Sequence, residues 1–465
     1  MRTSLWMNDL AQALRGYRDQ DSLLLCTPGH QQGRYAPPGL ADLLNLRCDL
    51  TELAGLDDLQ HPTGVLGLAQ QRAARLWGAD HTAFLVNGST VGLQAMLWGC
   101  LRPGDWLLLP RNVHQAVIGA LVLGGIRPIW LEPAWDAWGI AHGVTARQVE
   151  EALNVHPQIR AVLMVYPTYY GVCAPLAEVA AVAHRWGLPL LVDSAHGAHL
   201  AFHAQLPMCA VAAGADGVVQ STHKTAGSLT QSAMLHLRAG YLDPAAVLRV
   251  LGMIQSTSPS YLLLASLALV TDYLEIVGEQ LWDRALHLAC KVRQVLGELP
   301  GCAVLTAPLG HDLDLTRITL RVPVNGFALE EFLINEQIHP ELSGPDHLVF
   351  ILTPAHDDRV FTQLVPALRR GLMVLPSLSW RDWPKPPCPV TTDLGGAFFG
   401  PQRVVPLQAG VGRVAAQALT LYPPGIPLVL PGEVMTVELV AYVELVRGEA
   451  RMVGWRGAGL VAVVE

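Results

Sequence analysis

A lysine lies a few residues after an apolar run of the sequence, in a position where a reactive side chain is expected. The run Gly217–Gln220 is typical of a buried strand. Four polar residues follow it: Ser221, Thr222, His223 and Lys224. In open α/β sheets, ligands bind just beyond the carboxyl ends of the strands. A lysine that loses part of its hydration there can act as a nucleophile or Schiff-base former, because its pKa falls. A solvated loop lysine is the alternative interpretation.

Three earlier apolar runs also end in polar groups. Trp106–Pro110 is followed by His114, Ala161–Val165 by a turn rich in threonine and tyrosine, and Leu188–Val192 by Asp193. Near-continuous apolar runs that alternate with helical segments indicate parallel strands covered on both faces. We therefore expect the polar groups at these four strand ends to meet at one edge of a sheet.

Pyridoxal phosphate is a cofactor that would explain the types of polar residues at these strand ends. Its aldehyde needs an amine, for which Lys224 is the candidate. Its ring nitrogen stays protonated beside a buried carboxylate, for which Asp193 is the candidate. The 31 residues from Asp193 to Lys224 leave room for one crossover between neighbouring strands. His114 can stack on the ring, and a capping role is the alternative for this histidine.

The phosphate of such a cofactor would fit a second motif. A short strand that ends at Val86 is followed by Asn87, Gly88, Ser89 and Thr90 and then by a helical run. Backbone N–H groups and the helix dipole attract anions at a helix N-terminus. Ser89 and Thr90 would add hydroxyls there, and Ser221 a third. A plain N-cap is the alternative role for Ser89 or Thr90.

The composition limits the class of protein. Of the 465 residues, 51% are hydrophobic and 15% charged, with a net charge of -8. So few charged residues indicate that part of the surface is buried in an oligomer. The negative net charge and the lack of a long Lys/Arg run argue against nucleic acid or an anionic membrane as a partner. No unbroken apolar run reaches about 18 residues, the length that predicts a membrane span. Eight scattered cysteines, without a CxxC pair or secretory segment, indicate reduced thiols in a cytoplasmic protein.

The pattern of elements predicts three parts of the chain. They are an N-terminal arm over residues 1–30, a large α/β domain over 31–256, and a linker helix with an α+β domain over 257–465. In the last part, Val304–Val322 and Leu348–Thr353 predict strands. An amphipathic helix is predicted over Leu5–Tyr17.

Short motifs along almost the whole chain resemble the ornithine/lysine/arginine decarboxylases, in their short form without an N-terminal wing domain. The motifs are Thr27-Pro28-Gly29-His30, Gly55-Leu56-Asp57-Asp58-Leu59, Asn87-Gly88-Ser89-Thr90, Arg111-Asn112-Val113-His114, Pro167-Thr168-Tyr169-Tyr170-Gly171, Asp193-Ser194-Ala195-His196-Gly197-Ala198-His199, Ser221-Thr222-His223-Lys224, Thr257-Ser258-Pro259 and Tyr422-Pro423-Pro424-Gly425-Ile426-Pro427. The lysine motif alone is weak, since cysteine desulfurases carry a similar string, but the order of all blocks is specific. The resemblance implies a fold-type-I pyridoxal-phosphate (aspartate aminotransferase-like) large domain with a mostly parallel sheet, plus an α+β C-terminal domain.

The resemblance also implies roles for individual residues. Lys224 would carry the cofactor, Asp193 would pair with its ring nitrogen, and His114 would stack on the ring. The implied cofactor-binding set is Ser89, Thr90, His114, Asp193, His196, Ser221, His223, Lys224, Ser256, Thr257 and Ser258. The last three would come from the neighbouring subunit of a homodimer or larger oligomer. Many relatives have Asp-Glu-Ala-His where this chain has Asp193-Ser194-Ala195-His196.

The implied reaction is the decarboxylation of a basic amino acid, with arginine favoured over lysine and ornithine. His223 or Lys224 would return a proton to the substrate carbon after CO2 leaves. A carboxylate should meet the distal cation of the substrate. The candidates are Glu341, Asp312, Asp346 and Glu433, and a solvated surface acid is the alternative for each.

Other functions stay open at this point. Another pyridoxal-phosphate reaction, such as aminotransfer or carbon–sulfur lysis, would use the same Lys224 and Asp193. A transaminase, however, normally needs an arginine for the substrate carboxylate. A non-catalytic regulator that binds the cofactor is a further alternative. No metal is predicted, although His196, His199 and His203 have a spacing that would suit ligands on one helix.

Overall fold

A computed structural model describes residues 8–20, 24–37, 39–380, 382, 385–389, 391, 393–422, 425–447, 451–457 and 459–465. Its helices are α1 (Asp9–Asp19), α2 (Leu40–Leu43), α3 (Val65–Trp77), α4 (Gly88–Cys100), α5 (Gln115–Gly124), α6 (Ala146–Val155), α7 (Leu176–Arg185), α8 (Thr222–Thr225), α9 (Pro244–Ile254), α10 (Tyr261–Gly297), α11 (Gly326–Asn335), α12 (Val365–Val374), α13 (Leu394–Phe399) and α14 (Val437–Val446). Its strands are β1 (His81–Leu85), β2 (Trp106–Pro110), β3 (Arg127–Leu131), β4 (Ile159–Val165), β5 (Val172–Cys173), β6 (Leu190–Asp193), β7 (Gly217–Gln220), β8 (Ala233–Leu237), β9 (Ala303–Val304), β10 (Asp312–Leu313), β11 (Arg317–Arg321), β12 (Leu342–Ser343), β13 (His347–Ile351), β14 (Gln402–Pro406), β15 (Leu419–Tyr422), β16 (Ile426–Val429), β17 (Arg451–Val453) and β18 (Leu460–Val464).

The chain forms two compact units that do not follow the order of the sequence. The first unit contains the described residues up to Cys100, together with Leu191–Ala204 and Met208–Glu279. The second unit contains Leu101–Leu190, Gln205–Pro207 and the described residues from Gln280 onward. The domain limits predicted from the sequence do not coincide with these divisions and stay a prediction. The first residues of the predicted helix Leu5–Tyr17 lie outside the described residues, and α1 begins at Asp9 because the side chain of Asn8 caps it.

Four strands lie side by side in the first unit, in the order β1, β8, β7 and β6. β6 and β7 are parallel, whereas β8 is antiparallel to both β7 and β1. Asp193 at the end of β6 is in register with Val219, one residue before the end of β7. Because β6 and β7 are parallel, the segments that follow Asp193 and Gln220 leave the sheet at the same edge.

Helix α4 packs closely against β1, β7 and α9 because glycines occupy two of its contact positions, Gly92 and Gly99. A Cβ atom at Gly92 would lie 2.6 Å from Leu85 Cδ1 and 3.1 Å from Val219 Cγ1. One at Gly99 would lie 2.5 Å from the Cα atom of Val247 in α9. Carbon atoms in contact prefer separations of about 3.5–4.0 Å, so a larger residue would push α4 away. The two glycines therefore fix the helix, and with it the turn at its N-terminus.

The second unit contains three parallel strands and a separate antiparallel part. β2 lies between β4 and β3 and is parallel to both. Together with the parallel pair β6 and β7, these strands confirm the predicted α/β class with mostly parallel strands. Further along the chain, β12, β13, β11 and β9 form an antiparallel sheet. Buried side chains of α10, α11 and α12 share its core, which confirms the predicted α+β arrangement.

The predicted strand over Val304–Val322 is wrong in extent. The structure has three short strands there, β9, β10 and β11, with a loop between β9 and β10. Pro308 has no N–H to donate to a sheet, and Gly310 has a φ of +75°. These two residues turn the backbone away from the extended path, so the segment cannot continue as one strand.

Helix α10 is the one described helix that is long and apolar enough to cross a membrane, judged by length and composition only. The 18-residue window that passes this test has a mean hydropathy of 1.5, and half of it is buried. The expectation concerned apolar runs, and none of about 18 residues occurs here, because Ser266 and Thr271 interrupt the run in α10 without ending the helix. The C-terminal part of α10 contributes Val292 and Leu296 to the core of the second unit, which is the behaviour of a core helix.

Candidate active site

Lys224 lies in the short helix α8, directly after β7, and its amine meets a histidine. Nζ of Lys224 is 3.1 Å from Nε2 of His196. His196 is 8% exposed, whereas the lysine is exposed in the single chain. A charged lysine has donors only, so Nε2 of His196 accepts this bond and the histidine proton lies on Nδ1. The structure thus brings together two of the residues that the sequence analysis selected.

Asp193 and the lysine belong to neighbouring strand ends. Asp193 is 5% exposed, and its Oδ1 accepts a hydrogen bond of 3.2 Å from Ala195 N. The next residue, Ser194, donates its backbone N–H to Val219 O at 2.9 Å. This bond holds the end of β6 beside β7, whose next residues lead to Lys224. The turn that begins at Asp193 also carries His196, so the imidazole that meets the amine comes from the same turn as the carboxylate.

Two hydroxyls meet beside the N-terminus of α4. Ser221 Oγ donates to Ser89 Oγ at 3.0 Å, although the two residues are 132 positions apart. Gly88, the first residue of α4, has a φ of +75°, a conformation that favours glycine and turns the chain from β1 into the helix. Thr90 follows Ser89 and is exposed. Two converging hydroxyls at the start of a 13-residue helix have the chemistry of a phosphate site.

The Ser256–Ser258 segment lies next to this turn in the same chain. The backbone N–H of Ser256 donates to Asn87 Oδ1 at 3.1 Å, and that of Ser258 donates to Ser256 Oγ at 3.2 Å. Asn87 directly precedes α4. The contribution of Ser256, Thr257 and Ser258 to the site of a neighbouring subunit stays a prediction.

Two buried hydroxyls beside the lysine and the carboxylate lack a hydrogen-bond partner among the described residues. They are Thr222 Oγ1 and Ser194 Oγ, on residues with 0% exposure. An unsatisfied buried polar group costs about 1–3 kcal/mol, so a bound group or water that accepts from them would offset this cost. An amine, a carboxylate, spare hydroxyls and a helix N-terminus are the groups that pyridoxal 5′-phosphate needs. The residues present therefore fit this cofactor.

His223 is held as a neutral ring. A carbonyl oxygen can only accept, so His223 Nδ1 donates the hydrogen bond of 2.8 Å to Ser232 O. Burial and the nearby charge of Lys224 lower the pKa of His223. The resting ring therefore has its proton on Nδ1 and a lone pair on Nε2. This arrangement favours Lys224 over His223 as the proton donor, and the catalytic role of His223 stays a prediction.

His114 lies in the second unit and caps a helix. Its Nδ1 accepts a hydrogen bond of 3.1 Å from Ala116 N at the start of α5. The capping role, which the sequence analysis gave as the alternative, is thereby confirmed. Ring stacking by the exposed imidazole stays a prediction.

The three histidines considered for a metal site do not share a helix. His196 lies in a turn, His199 precedes the 3₁₀ turn Leu200–Phe202, and His203 follows it. The premise of helical spacing is wrong, because the backbone of this segment is organised by turns. No group of three or more metal-ligating side chains occurs in the part of the chain that the structure describes.

Two of the four candidate substrate acids are used inside the second unit. Asp346 Oδ2 is 2.8 Å from both Nε and Nη2 of Arg321. Glu433, with 0% exposure, binds Arg111 Nη2 at 2.8 Å through Oε2. Burial acts to raise the pKa of Asp346, but His347 and Arg321 outweigh it and lower the pKa. These contacts favour a structural role for both acids.

The other two acids, Glu341 and Asp312, are exposed residues of the second unit. Glu341 Oε1 accepts a hydrogen bond of 2.6 Å from Tyr169 Oη. The guanidinium of Arg317 lies 5.9 Å from the centre of the Tyr169 ring, as in a cation–π contact. Asp312 lies in β10, which pairs with β5.

Two functional candidates not predicted from the sequence are polar residues inside strands of the first unit. Gln220 ends β7 and His236 lies within β8, each with 0% exposure. A polar residue inside an apolar run is the signal that reveals them. The pair of Arg111 and Glu433 carried no such signal, because 322 positions separate the two residues.

The chain resembles known proteins over nearly its whole length. The family model described as "Orn/Lys/Arg decarboxylase, major domain" matches residues 8–317, and "Orn/Lys/Arg decarboxylase, C-terminal domain" matches residues 399–453. The arginine decarboxylase of Bacillus subtilis is 35% identical over 456 residues, covering 93% of this chain and 92% of that protein. The arginine decarboxylase of Bacillus anthracis is 33% identical, covering 95% and 93%. The crystal structure of the Francisella novicida lysine decarboxylase LdcF matches with a TM-score of 0.87, 20% identity, and coverage of 99% of this chain and 81% of that one. That match shows the same fold.

Proposed function

Because the chain belongs to the Orn/Lys/Arg decarboxylase family, we propose that arginine is the basic amino acid from which it removes CO2. The family is pyridoxal-phosphate-dependent, so the chain is a carboxy-lyase that uses this cofactor. The observation that supports arginine over lysine and ornithine is the identity of 33–35% to two arginine decarboxylases, over more than nine-tenths of the chain.

Residues of the first unit would hold the cofactor. When bound, pyridoxal 5′-phosphate supplies an aldehyde that reacts with amines and a ring that accepts the electron pair left by CO2. Lys224 offers its amine, and Asp193 keeps the ring nitrogen protonated through its negative charge. Ser89, Ser221 and the N–H groups at the start of α4 bind the phosphate.

Lys224 and His196 move protons in this proposal. Their nitrogens are 3.1 Å apart, so a proton can pass from Nζ to Nε2 and back. A lysine that has lost its proton is a nucleophile, and one that regains it can protonate the substrate carbon after CO2 leaves. His223 holds its Nδ1 proton on Ser232 O and fixes the turn that carries Lys224.

Other parts of the proposal rest on fewer contacts. Thr90 would complete the phosphate site, and His114 would stack on the ring. His223 would bind the phosphate through Nε2 in its protonated form, because its Nδ1 proton is held by Ser232 O. Ser256, Thr257 and Ser258 would reach the site of a neighbouring subunit in a homodimer or larger oligomer. The charged content of 15% supports such an assembly and gives no support to nucleic acid or a membrane as a partner. A cytoplasmic location belongs to the same proposal.

Glu341 is the proposed partner of the distal cation of the substrate. It lines a cleft of 250 Å³ in the second unit, and Tyr169 orients its carboxylate. A guanidinium can donate two parallel hydrogen bonds to a carboxylate, which an ammonium cannot. Asp312 is the second choice, whereas Asp346 and Glu433 already bind arginines of the chain.

The proposal is tested in three reactions, in which purified protein with added cofactor is incubated with arginine, with lysine or with ornithine. Each reaction is assayed for CO2 and for the amine product. We expect the largest kcat/KM with arginine. Faster release from lysine or ornithine would contradict the choice of substrate. A keto acid without CO2 would indicate aminotransfer, and no product at all would favour the regulator.

A pair of glutamate variants tests the recognition of the distal group. Glu341→Gln should lose most of the preference for arginine, because the amide offers one acceptor in place of two. Glu331→Gln, in an exposed residue of α11, is the matched control and should keep the preference. Equal behaviour of the two variants would remove Glu341 from the proposal.

A further inference from the structure

Polar side chains occupy three neighbouring strands of the first unit, on one face. They are Thr82 in β1, His236 in β8 and Gln220 in β7, with exposures of 5%, 0% and 0%. Thr82 is directly opposite His236, and His236 is directly opposite Val218. Residues two apart in a strand share a face, so Gln220 lies on the face of His236. Such residues in a buried sheet need partners, since each unpaired group costs free energy.

These residues form a continuous line of hydrogen bonds. Gln220 Nε2 donates to Gly197 O at 3.4 Å, which leaves Oε1 as the acceptor for His236 Nε2 at 3.1 Å. His236 Nε2 therefore carries the proton, and His236 Nδ1 accepts from the Thr82 hydroxyl at 2.8 Å. Every bond has one donor and one acceptor, so the direction of the whole line is determined. It ends on the residue that follows His196.

Trp77 supports the same segment from α3. Its indole is stacked on the His236 ring, with centres 5.4 Å apart and an angle of 25° between planes. Its Nε1 donates to Ala198 O at 3.1 Å. Two successive carbonyls, those of Gly197 and Ala198, are therefore held by side chains from the sheet and from α3. The turn that carries His196 is fixed by these contacts.

We propose that His236 is a positioning residue: through Gln220 it fixes the turn that presents His196 Nε2 to the amine of Lys224. This inference rests on the proposed function of Lys224 as the reacting amine. The position of Nε2 matters because a shift of about 1 Å in a reacting group can cost about a hundredfold in rate. None of these hydrogen bonds joins His236 directly to the Lys224 amine or to His196, so His236 acts through Gln220.

The state of His236 suits a fixed support. Burial lowers the pKa of His236 to about 3, so the ring stays neutral near pH 7. A neutral ring with one donor and one acceptor matches the two partners that it has. A leucine at this position would fill similar space but would leave the Gln220 amide without its donor.

The test uses the reactivity of Lys224 in the full-length, cofactor-free protein. The chain has only three lysines, Lys224, Lys291 and Lys385, so peptide mass spectrometry follows each separately. Trinitrobenzenesulfonate is the probe: Nζ attacks the ring carbon, sulfite leaves, and one proton is released, which His196 Nε2 is placed to accept. The readout is the labelling rate of Lys224 divided by that of Lys291, an exposed residue of α10.

Four variants separate positioning from general loss of structure. His236→Leu removes the donor to Gln220, and His236→Gln restores an N–H donor. Thr82→Val removes only the far end of the line. Thr271→Val is the matched control, because its hydroxyl is as buried but bonds only to Leu267 O within α10.

We expect the ratio to fall on the order of tenfold in His236→Leu, the order of one lost buried hydrogen bond. It should recover in His236→Gln, fall less in Thr82→Val and stay unchanged in Thr271→Val. An unchanged ratio in folded His236→Leu, or an equal fall in His236→Gln, would overturn the inference. If borohydride reduction of the cofactor-loaded wild type fails to fix cofactor on Lys224, the proposed function fails instead, and the labelling ratio still reports on His236.

Discussion

The ion pair between Arg111 and Glu433 gives the sharpest prediction about stability. Glu433 has 0% exposure, and its carboxylate accepts three hydrogen bonds: from Arg111 Nη2 at 2.8 Å, Leu430 N at 2.7 Å and Thr391 Oγ1 at 2.9 Å. Arg111 supplies the only positive charge among these donors, and its guanidinium also lies 5.0 Å from the centre of the Trp130 ring. Replacing Arg111 by methionine keeps the apolar volume but leaves a buried carboxylate without its counter-charge.

The expected cost follows from that geometry. Removing one partner of a buried pair costs about 3–5 kcal/mol, because the other charge stays desolvated. The double variant Arg111→Met, Glu433→Gln removes both charges, and the amide can still accept from Leu430 N. We therefore expect the double variant to recover roughly half of the loss, since lost neutral hydrogen bonds cost about 1 kcal/mol each. The measurement is the free energy of unfolding in urea, followed by tryptophan fluorescence.

The pH dependence gives a second readout of the same pair. Burial raises the pKa of Glu433 in spite of Arg111, and the loss of Arg111 raises it further. An acid whose pKa is raised by folding favours the folded state at low pH, and that contribution is lost as pH rises through the folded pKa. Arg111→Met should therefore lose more stability at pH 8 than at pH 5.5.

A surface pair provides the control for this cycle. Arg147 and Glu151 form an exposed ion pair at 2.7 Å, so Arg147→Met should leave unfolding unchanged. Equal losses for the single Arg111→Met variant and the double variant, or a loss that does not depend on pH, would refute the argument from an uncompensated charge.

Three further predictions concern single residues. Lys224→Ala should fold, lose turnover and lose the visible absorbance of protein-bound cofactor, whereas Lys291→Ala should keep both; turnover in Lys224→Ala would exclude the lysine mechanism. Asp193→Asn should bind cofactor but lose most of kcat, because the ring loses its charge partner, and an unaltered kcat would contradict that role. Burial acts to raise the pKa of Asp57, but backbone N–H donors such as those of Asp58 and Gly67 outweigh it and lower the pKa. The ionised Asp57 should therefore stabilise the fold above about pH 4, and this stabilisation should be lost as the pH falls further. Asp57→Asn should flatten the acid side of a plot of thermal stability against pH. An unchanged acid side would contradict the role of these backbone donors to Asp57.

Local patterns were sufficient for the fold class and for the expectation that Lys224 and Asp193 lie at neighbouring strand ends. The strand β2 has the bounds that its apolar run predicts. Lys224 comes shortly after β7, as expected, and Asp193 is the last residue of β6. The reason is physical: alternation of apolar runs with turn residues encodes buried parallel strands, and residues just after such strands share one edge. The family resemblance, carried by motifs in a fixed order, added the cofactor and the reaction.

Tertiary structure decided which polar groups are paired. In the sequence, Asp346 and Glu433 are candidate substrate acids just as Glu341 is. In the structure both are buried, and they bind Arg321 and Arg111, respectively. His196, His199 and His203 have helical spacing but lie in turns. An acid or histidine carries the same local signal whether it binds a substrate, a distant arginine or a backbone carbonyl. Its partner depends on which strands and helices pack together, so only the folded chain distinguishes these cases.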